Sequence, residues 1–303
     1  MKIAETHDDF VEWNHLVPNQ ARLGIVTKRS NYPLIEKLKA KLPKETIFFH
    51  MKNDIASEYQ SDGISITEFE TLPSADTNSE FGIQRMNWVQ KYLELLCFMH
   101  ERERQEFIPT GGFKPHIEGP LCGYIKAINN LSESEDKKLL QSHLEKLEHV
   151  KWGRSEAEGF TYKISGDSPE ELLESVYLAA WSFWTFAISV QRPNPLVVIL
   201  ELDDNLLVHP VLDKKRELID FIVRSLSQLT FDYLVTFVVK SPNLYPIPES
   251  NVEFLLVENL DAKDIDFNDA LGFNVELQEN EIIVISQGVY KIMKLSLDSP
   301  IEL

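Results

Sequence analysis

Two short apolar segments near the start of the chain set the expected fold class, Leu23-Gly24-Ile25-Val26 and Thr46-Ile47-Phe48-Phe49-His50. The second is rich in β-branched and aromatic residues, and short apolar runs of this kind favour buried strands. Between the two segments, Leu34, Ile35 and Leu38 recur at the spacing of one helix face. This β-α-β order predicts an α/β domain whose strands are covered by helices.

The alternation of helices and strands continues through the rest of the chain. Helices are predicted over 81–107 and from residues 132, 168 and 211, and strands over 64–69, 196–202, 233–239 and 254–257. Two further apolar runs between Glu281 and Leu297 flank Ser286-Gln287-Gly288, which predicts a hairpin because glycine supplies the positive φ that such turns need. We therefore predict mixed sheets covered by helices, ending in a C-terminal β-hairpin.

A cluster of prolines and glycines over 109–115 interrupts this pattern. Such residues end helices and strands, so they mark a candidate boundary between domains. With 303 residues, the chain is long enough for one large or two ordinary domains. We predict two α/β units, 1–131 and 132–303, of which the second carries a mixed sheet and the acidic end. The alternative is that 109–132 forms a long loop inside a single fold.

The longest uncharged stretch runs from Ser175 to Gln191 and has 17 residues. A helix that crosses a bilayer needs about 20 apolar residues, so this stretch is too short. It includes Trp181, Phe183, Trp184 and Phe186, which point in several directions around a helix. That arrangement predicts a central core helix, because large aromatic side chains dominate the burial energy of cores.

The composition indicates an acidic protein of a reducing compartment. The chain has two cysteines, 30 Lys plus Arg against 48 Asp plus Glu, and a net charge of -18. Affinity for nucleic acid and for anionic lipid depends on clustered cations, so we expect neither as a partner. The start of the chain lacks a signal-peptide core, which predicts a cytoplasmic location. Complete P-loop, dinucleotide-binding and zinc motifs are absent from the sequence, so no cofactor is predicted.

Negative charge is concentrated near the C-terminus. Residues 241–303 carry 12 acidic side chains and three lysines, a net of -9, which is half of the charge of the whole chain. A solubilising surface explains this, but an electronegative face can also select a basic protein partner. We therefore predict a soluble, acidic, intracellular protein-binding protein of the inhibitor, immunity-factor or adaptor type. The predicted partner-binding residues are Asp261, Asp264, Asp266, Asp269, Glu276 and Glu279.

The alternative function starts from the acidic end of the strand predicted at 196–202. Ligands bind beyond the carboxyl ends of strands in open α/β sheets, and carboxylates there can hold a divalent cation such as magnesium. The alternative is a metal-dependent hydrolase or transferase that uses Glu201, Asp203 and Asp204, with His209 just downstream. Ordinary turn chemistry explains Asp-Asp-Asn after a strand without any metal.

Overall fold

The computed structural model describes the chain in separate segments. They are residues 2–6, 10–12, 21–27, 33–40, 46–52, 80–101, 125–126, 128–149, 153–154, 160–189, 195–202, 215–232, 235–242, 252–258, 281–286 and 289–295. The strands in these segments are β1 Lys2–Glu5, β2 Phe10–Glu12, β3 Arg22–Val26, β4 Ile47–Lys52, β5 Gly153–Arg154, β6 Phe160–Lys163, β7 Leu196–Glu201, β8 Val235–Ser241, β9 Phe254–Glu258, β10 Glu281–Ser286 and β11 Val289–Leu295. The helices are α1 Pro33–Ala40, α2 Glu80–Met99, α3 Glu135–His149, α4 Pro169–Ser189 and α5 Arg216–Asp232.

The chain forms two compact units that interleave along the sequence. Unit 1 comprises Met1–Ser57, Ser155–Lys163 and Gln191–Leu303, and unit 2 comprises Glu58–Arg154 and Ile164–Val190. The sequence prediction placed a single boundary at residue 131 instead. A cut there separates β3 and β4 from β7, β8 and β9, with which they form one sheet.

The sheet of unit 1 is mixed, as predicted. Its strands have the order β2-β1-β11-β10-β9-β3-β8-β7-β4-β6. The strands from β9 to β6 are parallel to one another, whereas β10, β11, β1 and β2 continue the sheet through antiparallel pairs. The predicted C-terminal hairpin is β10 and β11, which pair from Glu281↔Lys294 to Ser286↔Val289. The predicted α/β class with helices and a mixed sheet is confirmed. The strand predicted at 64–69 lies outside the described residues.

The connections between the parallel strands run in two directions. Numbered along the chain, β9-β3-β8-β7-β4 is the order 5-1-4-3-2. The connection from β3 to β4, which contains α1, moves one way along the sheet, and those from β7 to β8 and from β8 to β9 move the other way. Because parallel crossovers are right-handed, opposite directions place the connections on opposite faces. By this rule, the neighbouring strands β3 and β8 mark a topological switch point.

Apolar side chains bury both faces of the parallel strands. One face packs under α1, and its buried core includes Ile25, Ile199 and Val238 together with Leu34 and Leu38 of the helix. The intervening residues on the other face are buried as well, among them Val198, Phe237 and Val239. Burial on both faces explains why these strands read as continuous apolar runs in the sequence.

Unit 2 contains α2, α3 and α4. The predicted core helix is α4, in which Trp181, Phe183, Trp184 and Phe186 are all buried. Trp181 stacks on Trp88 of α2 with ring centroids 6.4 Å apart. Among the described helices, none combines the length and the hydropathy that a bilayer crossing requires.

The starts of α3 and α4 follow ordinary capping chemistry. At α4, the Ser168 hydroxyl accepts a hydrogen bond from the Glu171 amide at 3.2 Å, as the Ser-Pro-Glu-Glu pattern predicts. At α3, the Lys137 amide donates to the hydroxyl of Ser134 at 3.1 Å, so the capping residue is Ser134. The predicted capping box from Ser132 is wrong by two residues.

We expect the core under α1 to be sensitive to truncation at Ile199. The change Ile199→Ala removes buried methyl groups and leaves a cavity, which costs about 2–5 kcal/mol, whereas Ile199→Val costs about 0.5–1.5 kcal/mol. The exposed β11 residue Ile292 provides a matched control, and Ile292→Ala changes stability by less than about 0.5 kcal/mol. Denaturant unfolding measures all three. Equal costs at Ile199 and Ile292 would contradict this description of the core.

Candidate functional site

Polar side chains cross the carboxyl edge of the parallel sheet in unit 1. They come from five neighbouring strands, β9, β3, β8, β7 and β4. In that order the side chains are Glu258, Thr27, Lys240, Glu201 and His50, and we call this set the polar row. The side chains of Glu258, Thr27, Lys240 and His50 are buried, and Glu201 is 16% exposed. Buried polar side chains at the edge where open α/β sheets bind ligands make this the candidate site.

The polar row lies on the face of the sheet that α1 covers. Side chains alternate between the two faces of a strand, so Lys240 points to the same face as Val238, and Glu201 to the same face as Ile199. Val238 and Ile199 both belong to the core under α1. Near the carboxyl end of each strand, this face of the sheet thus carries a polar residue, whereas earlier positions on the same face carry apolar residues.

Glu201 joins the strands on its two sides. It is the register partner of Lys240, whose Nζ donates a hydrogen bond to Glu201 Oε2 at 3.0 Å. The other carboxylate oxygen, Oε1, lies 2.5 Å from His50 Nε2. One carboxylate therefore accepts hydrogen bonds from an ammonium group and from an imidazole. These bonds offset the cost of removing Glu201 and Lys240 from water.

The surroundings shift the pKa values of Glu201 and His50. Burial raises the pKa of Glu201, but the hydrogen bonds from His50 and Lys240 and the charge of Lys240 outweigh it, so the pKa lies below its ordinary value. Burial lowers the pKa of His50 and outweighs the hydrogen bond to Glu201, with the charges of Lys39 and Lys52 adding to the decrease. At neutral pH, Glu201 is ionised and His50 is neutral, so His50 Nε2–H donates to the carboxylate.

The other end of the polar row is a hydroxyl–carboxylate pair. The Thr27 hydroxyl donates to Glu258 Oε2 at 2.7 Å, and the Thr27 amide donates to the Ser241 carbonyl at 3.0 Å. The Leu202 amide likewise donates to the Lys240 carbonyl at 2.9 Å. These hydrogen bonds therefore join the backbone ends of β3, β8 and β7 at the carboxyl edge of the sheet.

The residues predicted from the sequence have different positions in the structure. Glu201 belongs to the polar row, and the other predicted site residues lie outside the described residues. Those residues are Asp203, Asp204, His209, Asp261, Asp264, Asp266, Asp269, Glu276 and Glu279. Glu258, which was counted with the acidic surface, is 7% exposed and accepts a hydrogen bond from Thr27.

Sequence reasoning missed His50, Lys240 and Thr27 as members of a site. Thr27 directly follows β3, Lys240 lies one residue before the end of β8, and His50 lies two residues before the end of β4. A polar residue near the carboxyl end of an apolar strand was therefore the available signal. The three residues and Glu201 are far apart in the chain, and only the strand order brings them together. In the described part of the chain, no three His, Cys, Asp or Glu residues converge as metal ligands.

Comparisons with known proteins find similarity at the level of solved structures alone. No protein-family model and no curated protein matches the sequence. The chain is similar to the genome packaging NTPase B204 from Sulfolobus turreted icosahedral virus 2 in complex with AMP, with a TM-score of 0.34, 9% identity, and coverage of 92% of this chain and 98% of that chain. The same NTPase with ATP-gammaS gives a TM-score of 0.32, 10% identity, and coverage of 92% and 98%. A DnaB-like replicative helicase, described with its interactions with primase, gives a TM-score of 0.29, 9% identity, and coverage of 90% and 54%.

These comparisons contradict the predicted function. The matched structures are those of an NTPase and a helicase, whereas we predicted an inhibitor, immunity factor or adaptor that recognises a basic partner. The physical reason for the error is that charge counted along a sequence does not tell surface from interior, as the buried Glu258 illustrates. Of the residues of the alternative, a metal-dependent hydrolase or transferase, the structure describes Glu201 alone, which is paired with Lys240 and His50.

We expect strong coupling between Lys240 and Glu201. Removing either partner leaves a buried charge uncompensated, so Lys240→Met and Glu201→Gln each cost about 3–5 kcal/mol. The double variant costs less than the sum, with a coupling energy of about 1–3 kcal/mol. The partly exposed pair Lys91 and Glu94 of α2 is the control, since its 2.8 Å contact contributes about 0.2–0.5 kcal/mol. Additive costs at Lys240 and Glu201, measured by denaturant unfolding, would contradict the pairing.

We also expect His50 to make unit 1 less stable in mild acid. The unfolded histidine titrates near 6.5, and burial puts the folded pKa lower, so the unfolded chain takes up a proton first. Stability is therefore lost as the pH falls below 6.5, at most by about 1.4 kcal/mol per pH unit. The variant His50→Gln does not titrate, so the difference in unfolding free energy between wild type and variant shrinks from pH 8 to pH 5. Parallel pH profiles of the two proteins would contradict this.

Proposed function

We propose that unit 1 binds a nucleotide through its phosphates at the carboxyl edge of the parallel sheet, between β3 and β8. The observation that carries this proposal is the strand order, in which β3 and β8 are neighbours while their connections run to opposite sides along the sheet. Open α/β sheets bind ligands in the crevice that such a divergence leaves, and mononucleotides are typical occupants. The polar row supplies the buried polar groups that orient a ligand in such a crevice.

The connection between β3 and α1 supports a phosphate as the recognised group. In the sequence, Lys28, Arg29 and Ser30 lie between Thr27, which follows β3, and Pro33, which begins α1. A helix N-terminus that follows a strand at the switch point presents free amide groups and the positive end of the helix dipole. Two cations and a hydroxyl in the same connection add the donors that phosphate oxygens accept.

Lys240 supports the same assignment from the neighbouring strand. Its ammonium group is held at the end of β8 by Glu201, so a positive charge is fixed at the switch point. Glu201 and Glu258 would repel phosphate, but Glu201 is paired with Lys240, and Glu258 accepts from Thr27. Within the polar row, Lys240 balances the charge of Glu201, and Lys28 and Arg29 provide the additional cations.

The mode of phosphate binding in this proposal relies on side chains. The sequence contains no Gly-x-x-x-x-Gly-Lys-Ser/Thr motif, in which backbone amides cradle phosphates. Lys28 and Arg29 take over this role through charge-assisted hydrogen bonds. Because screening by salt weakens such contacts at exposed positions, affinity for nucleotide falls as ionic strength rises.

Calorimetric titration with ATP, AMP and adenosine tests the proposal. We expect ATP to bind more tightly than AMP and adenosine not to bind, because the phosphates carry the affinity. Lys28→Ala combined with Arg29→Ala weakens ATP binding by at least about tenfold, since a hydrogen bond to a charged group contributes about 1.5–3 kcal/mol. The matched control is Lys291→Ala combined with Lys294→Ala on β11, which removes the same charge and leaves the affinity unchanged.

Two outcomes would refute the proposal. One is the absence of ATP binding at millimolar concentration to a folded wild-type protein. The other is equal loss of affinity in the two double variants, since that would assign the effect to net charge and not to the connection between β3 and α1.

A further inference from the structure

A second ionic cluster, built around a buried carboxylate, lies in unit 2. We call it the imidazole cluster, and its members are Tyr92 of α2, His100 just after α2, His143 and Lys146 of α3, and Glu174 of α4. Glu174 is 2% exposed, and its two carboxylate oxygens accept from three side chains. His143 Nδ1 and the Tyr92 hydroxyl contact Oε1 at 2.6 and 3.0 Å, and Lys146 Nζ contacts Oε2 at 2.8 Å.

The two histidines contact each other through like atoms. His100 Nε2 lies 2.8 Å from His143 Nε2, with the ring centroids 5.0 Å apart. A hydrogen bond between two ring nitrogens needs one donor and one acceptor, so at least one of the two imidazoles must lack a proton on Nε2. The contact therefore depends directly on the number of protons that the pair holds.

The rest of the cluster determines which protonation states are possible. Burial raises the pKa of Glu174, but His143 and Lys146 outweigh it and hold the pKa below its ordinary value, so Glu174 is a carboxylate. A carboxylate only accepts, so His143 Nδ1–H donates to it. When both rings are neutral, His143 Nε2 accepts and His100 Nε2–H donates. When the pair takes up one proton, one ring becomes an imidazolium and the hydrogen bond persists.

A second proton removes the acceptor. Both rings then carry N–H groups that face each other across 2.8 Å, together with two positive charges, while Lys146 adds a third charge nearby. Burial lowers the pKa of His100, and the charge of His143 lowers it further. The second proton therefore destabilises the contact between the end of α2 and α3.

We propose that the imidazole cluster makes the packing of α2 against α3 and α4 sensitive to mild acid, because the pair of histidines accepts one proton with its hydrogen bond intact and loses that bond with the second. A conformation in which His100 has left His143 takes up the proton more readily than the closed one. Falling pH therefore shifts unit 2 toward the open conformation. The groups that face His100 are His143, Lys146 and Glu174.

An NMR titration of the histidine ring protons in the wild-type protein tests the proposal. We expect His100 and His143 to titrate as a coupled pair, with the second proton binding at least about tenfold more weakly than the first. The control is His50→Gln, which changes a histidine of unit 1 and leaves this pair of titrations unaltered. Independent titration of the two rings would overturn the proposal.

Tryptophan fluorescence supplies a second readout. Trp88 of α2 and Trp181 of α4 stack inside unit 2, so opening of the packing changes their emission. We expect a reversible emission change between pH 7 and pH 5 in wild type, which His50→Gln retains and His100→Gln loses. Glutamine keeps a donor and an acceptor but takes up no proton. An unchanged transition in folded His100→Gln would also overturn the proposal.

Discussion

The right-handedness of parallel crossovers is the constraint on which the arrangement of unit 1 depends. β3 connects to β4 in one direction, and β7, β8 and β9 follow in the other, so the connections must leave on opposite faces. The strand order therefore places a topological switch point at the neighbouring strands β3 and β8. Elsewhere both faces of the parallel strands are covered by apolar side chains, and polar residues concentrate where that cover ends. The position of the candidate site follows from topology before any side chain is considered.

Each unit contains a largely buried carboxylate that is paired with one histidine and one lysine. Glu201 accepts an imidazole on Oε1 and an ammonium on Oε2, from His50 and Lys240. Glu174 does the same with His143 and Lys146. Each carboxylate has both oxygens satisfied, so its ionised form is favoured despite burial. Such groups contribute little net stability, since desolvation offsets their attraction, but removing one partner is costly. Their value lies in fixing a charge at a defined place.

The sequence predicts local structure well and long-range arrangement poorly. Apolar periodicity identified β3, α1, β4 and α4, because burial of one face or of all faces leaves a direct pattern in the residues. Strand order leaves no such pattern, so neither the interleaved units nor the meeting of His50, Glu201 and Lys240 could be predicted. Glu201 was singled out as a carboxylate at a strand end, but its partners come from strands distant in the chain. Charge counted along the sequence does not separate buried from exposed acids, and Glu258 near the C-terminus is buried.

Hydrogen–deuterium exchange with and without saturating ATP locates nucleotide binding on the chain. We expect slower exchange at Thr27, in the first turn of α1 and at the ends of β7 and β8, where the polar row lies, with unit 2 unchanged. Slower exchange confined to unit 2 or to the hairpin of β10 and β11, with no change at the carboxyl edge, would contradict it.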